Sequence, residues 1–296
     1  MAVRAIVVGS LVMDLSFLVP KRPEPGEVVI ATGFATFRGG KGYNQAIALA
    51  RLGADVTFVG AVGDDAWGRE FIASLEAERV DASRMVVIPD AATSVAAPMV
   101  TPDGDVAFVH APAANALLTP EAVADLPACD VLLLQGEVPV ETSIAAARVV
   151  ERYGALVMLN PAPAHGITPE LVEVAAILTP NEIEARDLAR SAGDRVAVAR
   201  MLAAGRRGPV ITLGERGAAW AIDGQSGHAY PPSIVAIDAT GAGDSFCAAL
   251  AVALVEGQPA ADAVRFACAA GAAAATVRGA EPGLPDRRMV EALLGR

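Results

Sequence analysis

The chain has 296 residues, 53% hydrophobic and 19% charged, with a formal net charge of −11, so it is long enough to bury a large core and too apolar to stay disordered. That acidity excludes the basic field needed to attract nucleic acid or anionic lipid, and no apolar run is long enough to span a bilayer, so neither partner is expected. Three widely spaced cysteines, Cys129, Cys247 and Cys268, support neither a disulfide framework nor a zinc site, and a cytoplasmic protein with buried free thiols is expected.

Residues 3–8 are a β-branched run ending at Gly9-Ser10, predicted as the buried first strand of an α/β core. Residues 12–19 and 27–37, around the turn at 23–26, read as exposed antiparallel strands. Val95–Val100 and residues 106–110 flank Thr101-Pro102-Asp103-Gly104-Asp105, a strong hairpin signal. These pieces predict a small β-sheet lid, segments about 12–37 and 95–111, inserted in one domain spanning 1–296. Strand-like runs at 56–59, 131–134, 156–159, 176–179 and 210–213 each precede a helical stretch. Such alternation predicts a mostly parallel sheet flanked by helices. A further strand is expected at 234–237, with helix from Ala242 onward. Ligands of open parallel sheets lie beyond the carboxyl ends of the strands, which directs attention to the loops at Gly9, Gly136, Asn160, Asn181, Gly214 and Thr240.

Ala239-Thr240-Gly241-Ala242-Gly243-Asp244-Ser245 opens a long apolar helix. Small residues admit an anion to the free N–H groups at the helix start, where the dipole also favours negative charge. Asp244 is then either a plain N-cap or the carboxylate that takes a proton from an attacking hydroxyl. Arg38-Gly39-Gly40-Lys41-Gly42-Tyr43-Asn44-Gln45 precedes another helix and lacks the Ser or Thr that a Walker A loop carries after its lysine. Its glycines bring the backbone close to a polyhydroxylated ligand, or simply make a turn. Only two lysines occur in the whole chain, Lys21 and Lys41, which singles out the second.

Gly39-Gly40-Lys41-Gly42-x-Asn44-Gln45-Ala46, Asn160-Pro161-Ala162-Pro163-Ala164, Thr179-Pro180-Asn181-Glu182-Ile183-Glu184 and Thr240-Gly241-Ala242-Gly243-Asp244 resemble, in order, the signature segments of the ribokinase-like (PfkB) carbohydrate kinases. The resemblance spans nearly the whole chain. It implies a Rossmann-like layered core with a small β lid, and transfer of the ATP γ-phosphate to a primary hydroxyl of ribose or a related sugar. By the same resemblance Asp244 is the base, with Gly241, Ala242 and Gly243 forming the anion hole. Asp14, Gly39, Gly40, Lys41, Asn44 and Glu137 are implied as sugar contacts. Asn181, Thr212, Gly214, Gly217 and Gly243 are implied on the ATP side, and Glu184 holds Mg2+ through water. Asp238, Thr240, Gly279 and Gly283 match a monovalent-cation loop for K+. Ordinary alternatives stand beside these roles: Glu137 as a solvated loop acid, Glu184 as an exposed helix residue, Asp14 as a solvent-facing strand position.

The family pattern places Asn where Val12 stands, and valine cannot bond a hydroxyl. Tyr43 replaces a small residue and Arg38 an apolar one, from which a narrower or more polar pocket is expected. Phe17, Phe34, Phe37 and Phe108 are expected to pack lid against lid in a homodimer, or else to stack on the base of a nucleoside substrate.

Overall fold

The computed structural model describes residues 2–189, 199 and 207–295. β1 (Arg4–Val8) lies inside a nine-stranded sheet. With β4 (Asp55–Gly63), β5 (Asp81–Ile88), β8 (Val131–Leu134), β9 (Leu156–Leu159), β10 (Ile177–Leu178) and β11 (Gly208–Thr212) it forms a parallel run of order β11-β10-β9-β8-β1-β4-β5. Alternation along β1 supplies both faces: Ala5 and Val7 join one apolar cluster, Ile6 and Val8 the other. The first cluster is roofed by α1 (Lys41–Arg51), α2 (Ala66–Ala77), α6 (Ala242–Val255) and α7 (Ala260–Ala274). The second is covered by α3 (Val140–Glu151) and α4 (Pro169–Glu173). Alanine-rich α6 and α7 approach closely because their contact faces carry little side-chain bulk.

A separate four-stranded sheet, β2 (Val12–Leu18), β3 (Gly33–Gly39), β6 (Val95–Val100) and β7 (Val106–Ala111), has the order β3-β2-β6-β7. It is the expected lid, with β2 and β6 running parallel. Strand structure over residues 27–32 is absent, and β3 begins only at Gly33, where Thr32 N–H closes the turn on Leu18 O at 2.8 Å.

Two other expectations are corrected. Residues 234–237 form no strand: Pro231 and Pro232 precede them, Ile237 and Asp238 donate to Ala275 O at 2.8 and 3.2 Å, and Val235 is 85% exposed. The run at 210–213 is followed by an antiparallel hairpin, β12 (Ala218–Ile222) and β13 (Gln225–Ala229), instead of a helix. Asp223-Gly224, both at positive φ, make its two-residue turn. After α5 (Glu182–Ala189) and α6–α7 the chain closes with α8 (Ala280–Gly283) and α9 (Arg287–Leu293).

Candidate functional site

The chain leaves β1 at Gly9-Ser10 and meets the start of α1, where Tyr43 N–H donates to Ser10 O at 2.9 Å. The fit is tight: a Cβ on Gly42 would lie 2.6 Å from Ser10 N. Glu137, just past β8, is drawn into this junction, its Oε2 accepting from Ser10 Oγ and from Lys41 N–H, the latter at 2.9 Å. It is therefore anchored in the junction and is no freely solvated loop acid. Asp14 on β2 lies over Gly39, whose Cβ would stand 2.8 Å from Asp14 Oδ2. Burial, and then the charge of Glu137, push the Asp14 carboxyl up to about 6.

Opposite, α6 starts from Gly241, whose left-handed φ of 80° suits glycine and turns it against Ala280. Ala242 N–H is engaged by Ala239 O at 3.1 Å. Beside Gly243 there is open space. Asp244, only 7% exposed, accepts from Asn44 Nδ2 at 3.0 Å and from Gln45 Nε2 at 3.1 Å. Gln45 in turn accepts from Gln135 Nε2 at 2.7 Å. Burial raises the Asp244 pKa, opposed by Lys41, Asn44 and Gln45, and the net shift is upward. That suits a general base, which must both ionise and hold a proton. Asn44 leaves its Oδ1 buried without a partner among the described residues.

Lys41 shows that these groups converge. Burial disfavours its charge, yet Asp244, Glu137 and Glu184 together raise its pKa. One ammonium thus senses Asp244, the β8 loop and the far side of the site.

That far side lies beyond β10 and β11. Asn181 bridges to Thr212, and Thr212 N–H donates to Pro180 O at 2.9 Å. Asn181 Oδ1 accepts from Ile183 and Glu184 N–H, both at 2.9 Å, capping α5. Glu184 reciprocates, accepting from Asn181 N–H at 2.7 Å and Nδ2 at 2.8 Å, and is only 8% exposed. It is thus a buried reciprocal cap, against the exposed-residue alternative, and burial raises its pKa. Gly214 opens a short turn after β11 with free space at its Cβ position. At Gly217 a Cβ would meet Ala229 O at 2.0 Å, so that glycine is required by the hairpin itself.

Among the described residues no three His, Cys, Asp or Glu side chains gather to hold a metal directly. A single carboxylate with lone pairs to spare, Glu184, fits a hydrated Mg2+ carried mainly on phosphate oxygens. Asp238 joins two turns, Oδ1 accepting from Thr240 N–H at 2.9 Å and Oγ1 at 2.6 Å, and Oδ2 from Gly279 N–H at 2.9 Å. Gly283 follows in α8, its N–H donating to Gly279 O at 3.3 Å. An aspartate carboxylate and main-chain oxygens are the donor chemistry that K+ takes.

Tyr43 and Arg38 do not narrow the sugar side, contrary to expectation. The Tyr43 ring is fully buried edge-on against Phe71, centroids 5.1 Å apart, and its hydroxyl meets Ser74 Oγ at 2.6 Å. Arg38 donates to Glu281, Glu70 and the Tyr43 hydroxyl. The two departures answer each other: the α1 face that carries Tyr43 turns into the core. Phe37 likewise lies 3.6 Å from the Cβ position of Gly279, while Phe17 and Phe34 meet at a tilt of 45° within the lid, centroids 5.1 Å apart. Sequence reasoning missed Ser10 and Gln45 as partners of the acids, and Gln135 as the partner of Gln45. Their signal was present, since each is a polar residue bounding or interrupting an apolar run.

The profile of the pfkB family carbohydrate kinases matches residues 3–287. Ribokinase of Bacillus subtilis is 37% identical over 292 residues, covering 97% of this chain and 98% of that one. Among solved structures, ribokinase of Thermotoga maritima superposes with a TM-score of 0.89 at 32% identity, covering 99% of this chain and all of that one. Arabidopsis thaliana ribokinase complexed with ribose and ATP also reaches 0.89, at 31% identity with both chains fully covered.

Proposed function

This chain belongs to the pfkB family of carbohydrate kinases, and from that premise we propose that it transfers the γ-phosphate of ATP to a primary hydroxyl of ribose or a closely related sugar. One observation carries the reading: a buried carboxylate, Asp244, stands in the first turn of α6 beside open space at Gly243 and is held by Asn44 and Gln45 of α1.

In this reading the sugar lies between Asp14, Gly39, Gly40, Lys41 and Glu137, with the unpaired Asn44 Oδ1 as a further acceptor. Asp244 takes the hydroxyl proton as the oxygen bonds to the γ-phosphorus and ADP departs. Charge developing on the phosphoryl oxygens is met by Lys41 and by the main-chain N–H groups at the start of α6, whose dipole points the same way. Asn181, Thr212 and Gly214 bound the nucleotide side. Glu184 would hold Mg2+ through water, and the ion would neutralise phosphate charge. Asp238, Thr240, Gly279 and Gly283 would surround K+, stiffening the turn before the anion hole.

Two further proposals follow from the surface and the thiols. Phe34 and Phe108 of the lid are 59% and 67% exposed, which supports a second copy covering that sheet. Three buried free cysteines support a cytoplasmic location, and no helix among the described residues is long and apolar enough to cross a membrane.

The test is an ADP-release assay over ribose, 2-deoxyribose, fructose, sugar acids and nucleosides, with and without K+. Turnover should be highest with a pentose. Preferential turnover of a nucleoside, or none with any sugar, would refute the assignment.

A further inference from the structure

We infer that Arg38 and Glu281 form a strut that keeps the sugar-side glycine turn in register with the start of α6, which makes Arg38 a positioning residue for phosphoryl transfer. The inference rests on the reading of Asp244 and Gly241 given above. Arg38 immediately precedes Gly39-Gly40-Lys41. Its guanidinium grips Glu281 with two N–H bonds, Nε to Oε2 at 2.8 Å and Nη2 to Oε1 at 3.0 Å, while Nη1 donates to Glu70 Oε1 at 2.5 Å. A two-pronged pair fixes direction as well as distance. Nε also reaches the Tyr43 hydroxyl at 3.2 Å, which ties the pair to the first turn of α1.

Glu281 sits in the segment against which the anion-hole turn is built. Its neighbour Ala280 has its Cα 3.2 Å from where a Gly241 Cβ would stand. Two residues before it, Gly279 N–H donates to Asp238 at 2.9 Å. Arg51 of α1 holds the same segment from another side, Nη1 donating to the main-chain oxygens of Glu281 and Leu284, each at 2.8 Å. The elements that present Gly39, Lys41 and Asn44 therefore grip the wall behind Gly241. In-line transfer depends on hydroxyl and phosphoryl meeting at the right spacing, and a misplacement of about 1 Å costs on the order of 10²-fold in rate. Arg38 touches no reacting atom in this account; it acts through the segment at 279–281.

The experiment compares wild type, Arg38→Met, Glu281→Met, the double variant and Arg38→Lys, by steady-state kinetics with ribose and ATP and by thermal melting. Wild-type turnover on ribose is the reference arm, and its absence would remove the kinase reading and the strut with it. With turnover present, Arg38→Met is expected to lower kcat about tenfold while moving each KM less than about threefold, because alignment is lost and binding is not. It also lowers Tm, since Glu281 is left partly buried without its partner. The double variant removes both charges and recovers Tm, yet keeps the low kcat. Arg38→Lys keeps the charge without the fork, and kcat falls severalfold in a protein that folds normally. The inference is overturned when the double variant recovers kcat along with Tm, when Arg38→Lys turns over like wild type, or when Arg38→Met changes KM alone.

Discussion

The side-chain amide of Asn44 donates to Oδ2 of Asp244 across 3.0 Å, joining two helix starts that lie 200 residues apart in the chain. Asp244 lies in the first turn of α6, where the helix dipole favours negative charge, with Lys41 as the nearby full charge. The acid is thus made costly by burial and then partly stabilised, which sets when it can accept a proton.

Removing that amide alters this balance in a known direction. Asn44 stabilises the ionised form, so Asn44→Ala raises the Asp244 pKa further. The base then ionises only at higher pH, and the acidic limb of the kcat profile moves to higher pH. A limb that stays in place or moves down would show that Asp244 does not govern it.

The glycines at the start of α6 differ in what they demand. Gly241→Ala places a Cβ at φ 80° and 3.2 Å from the Ala280 Cα, and is expected to cost about 1–2 kcal/mol of stability as well as turnover. Gly243→Ala meets open space, so the fold is unaffected and the KM for ATP rises as the methyl intrudes on the phosphate. Equal melting losses in the two variants would contradict this division.

Asp14 gives a pH-dependent prediction. Its carboxyl is raised from 3.8 to about 6, so the folded state binds the proton more tightly than the unfolded chain. Ionising it therefore costs stability progressively between those values, with the full cost above about pH 6. Asp14→Asn should raise Tm by a few degrees at pH 8, give no gain at pH 4, and weaken sugar binding. Melting curves across that range decide it, and a gain larger at pH 4 than at pH 8 would have the wrong sign.

Val12 is buried on the same strand face as Asp14 and offers no hydrogen bond. Val12→Asn should raise kcat/KM for ribose relative to 2-deoxyribose by about tenfold, because a buried hydroxyl gains a partner. An unchanged ratio would remove Val12 from the specificity account.

The chemistry was more legible in the sequence than its supports. Asp244, Lys41, Asn44 and Asn181 lie in short segments whose glycines, prolines and caps declare their geometry locally. The parallel core showed as repeated apolar runs. What failed depended on tertiary direction. Residues 234–237 have strand composition, but two prolines and the carbonyl of Ala275 hold them as extended coil. The β12–β13 hairpin was missed although Asp223-Gly224 is a hairpin turn signal, because the expected alternation of strand and helix overrode it. Tyr43 and Arg38 were assigned to the pocket since spacing alone does not say which helix face turns inward.

The most direct test of the central claim is Asp244→Asn, which preserves shape and removes the base. The new side chain has the same size and keeps one oxygen to accept from Gln45, Asn44 can turn its unpartnered Oδ1 to accept from the introduced NH2, and a costly buried charge is gone, so Tm should hold or rise. ADP release with ribose should fall by roughly 10²–10⁴-fold. Near-wild-type turnover in the folded variant would contradict the account, because the proton would then be leaving by another route.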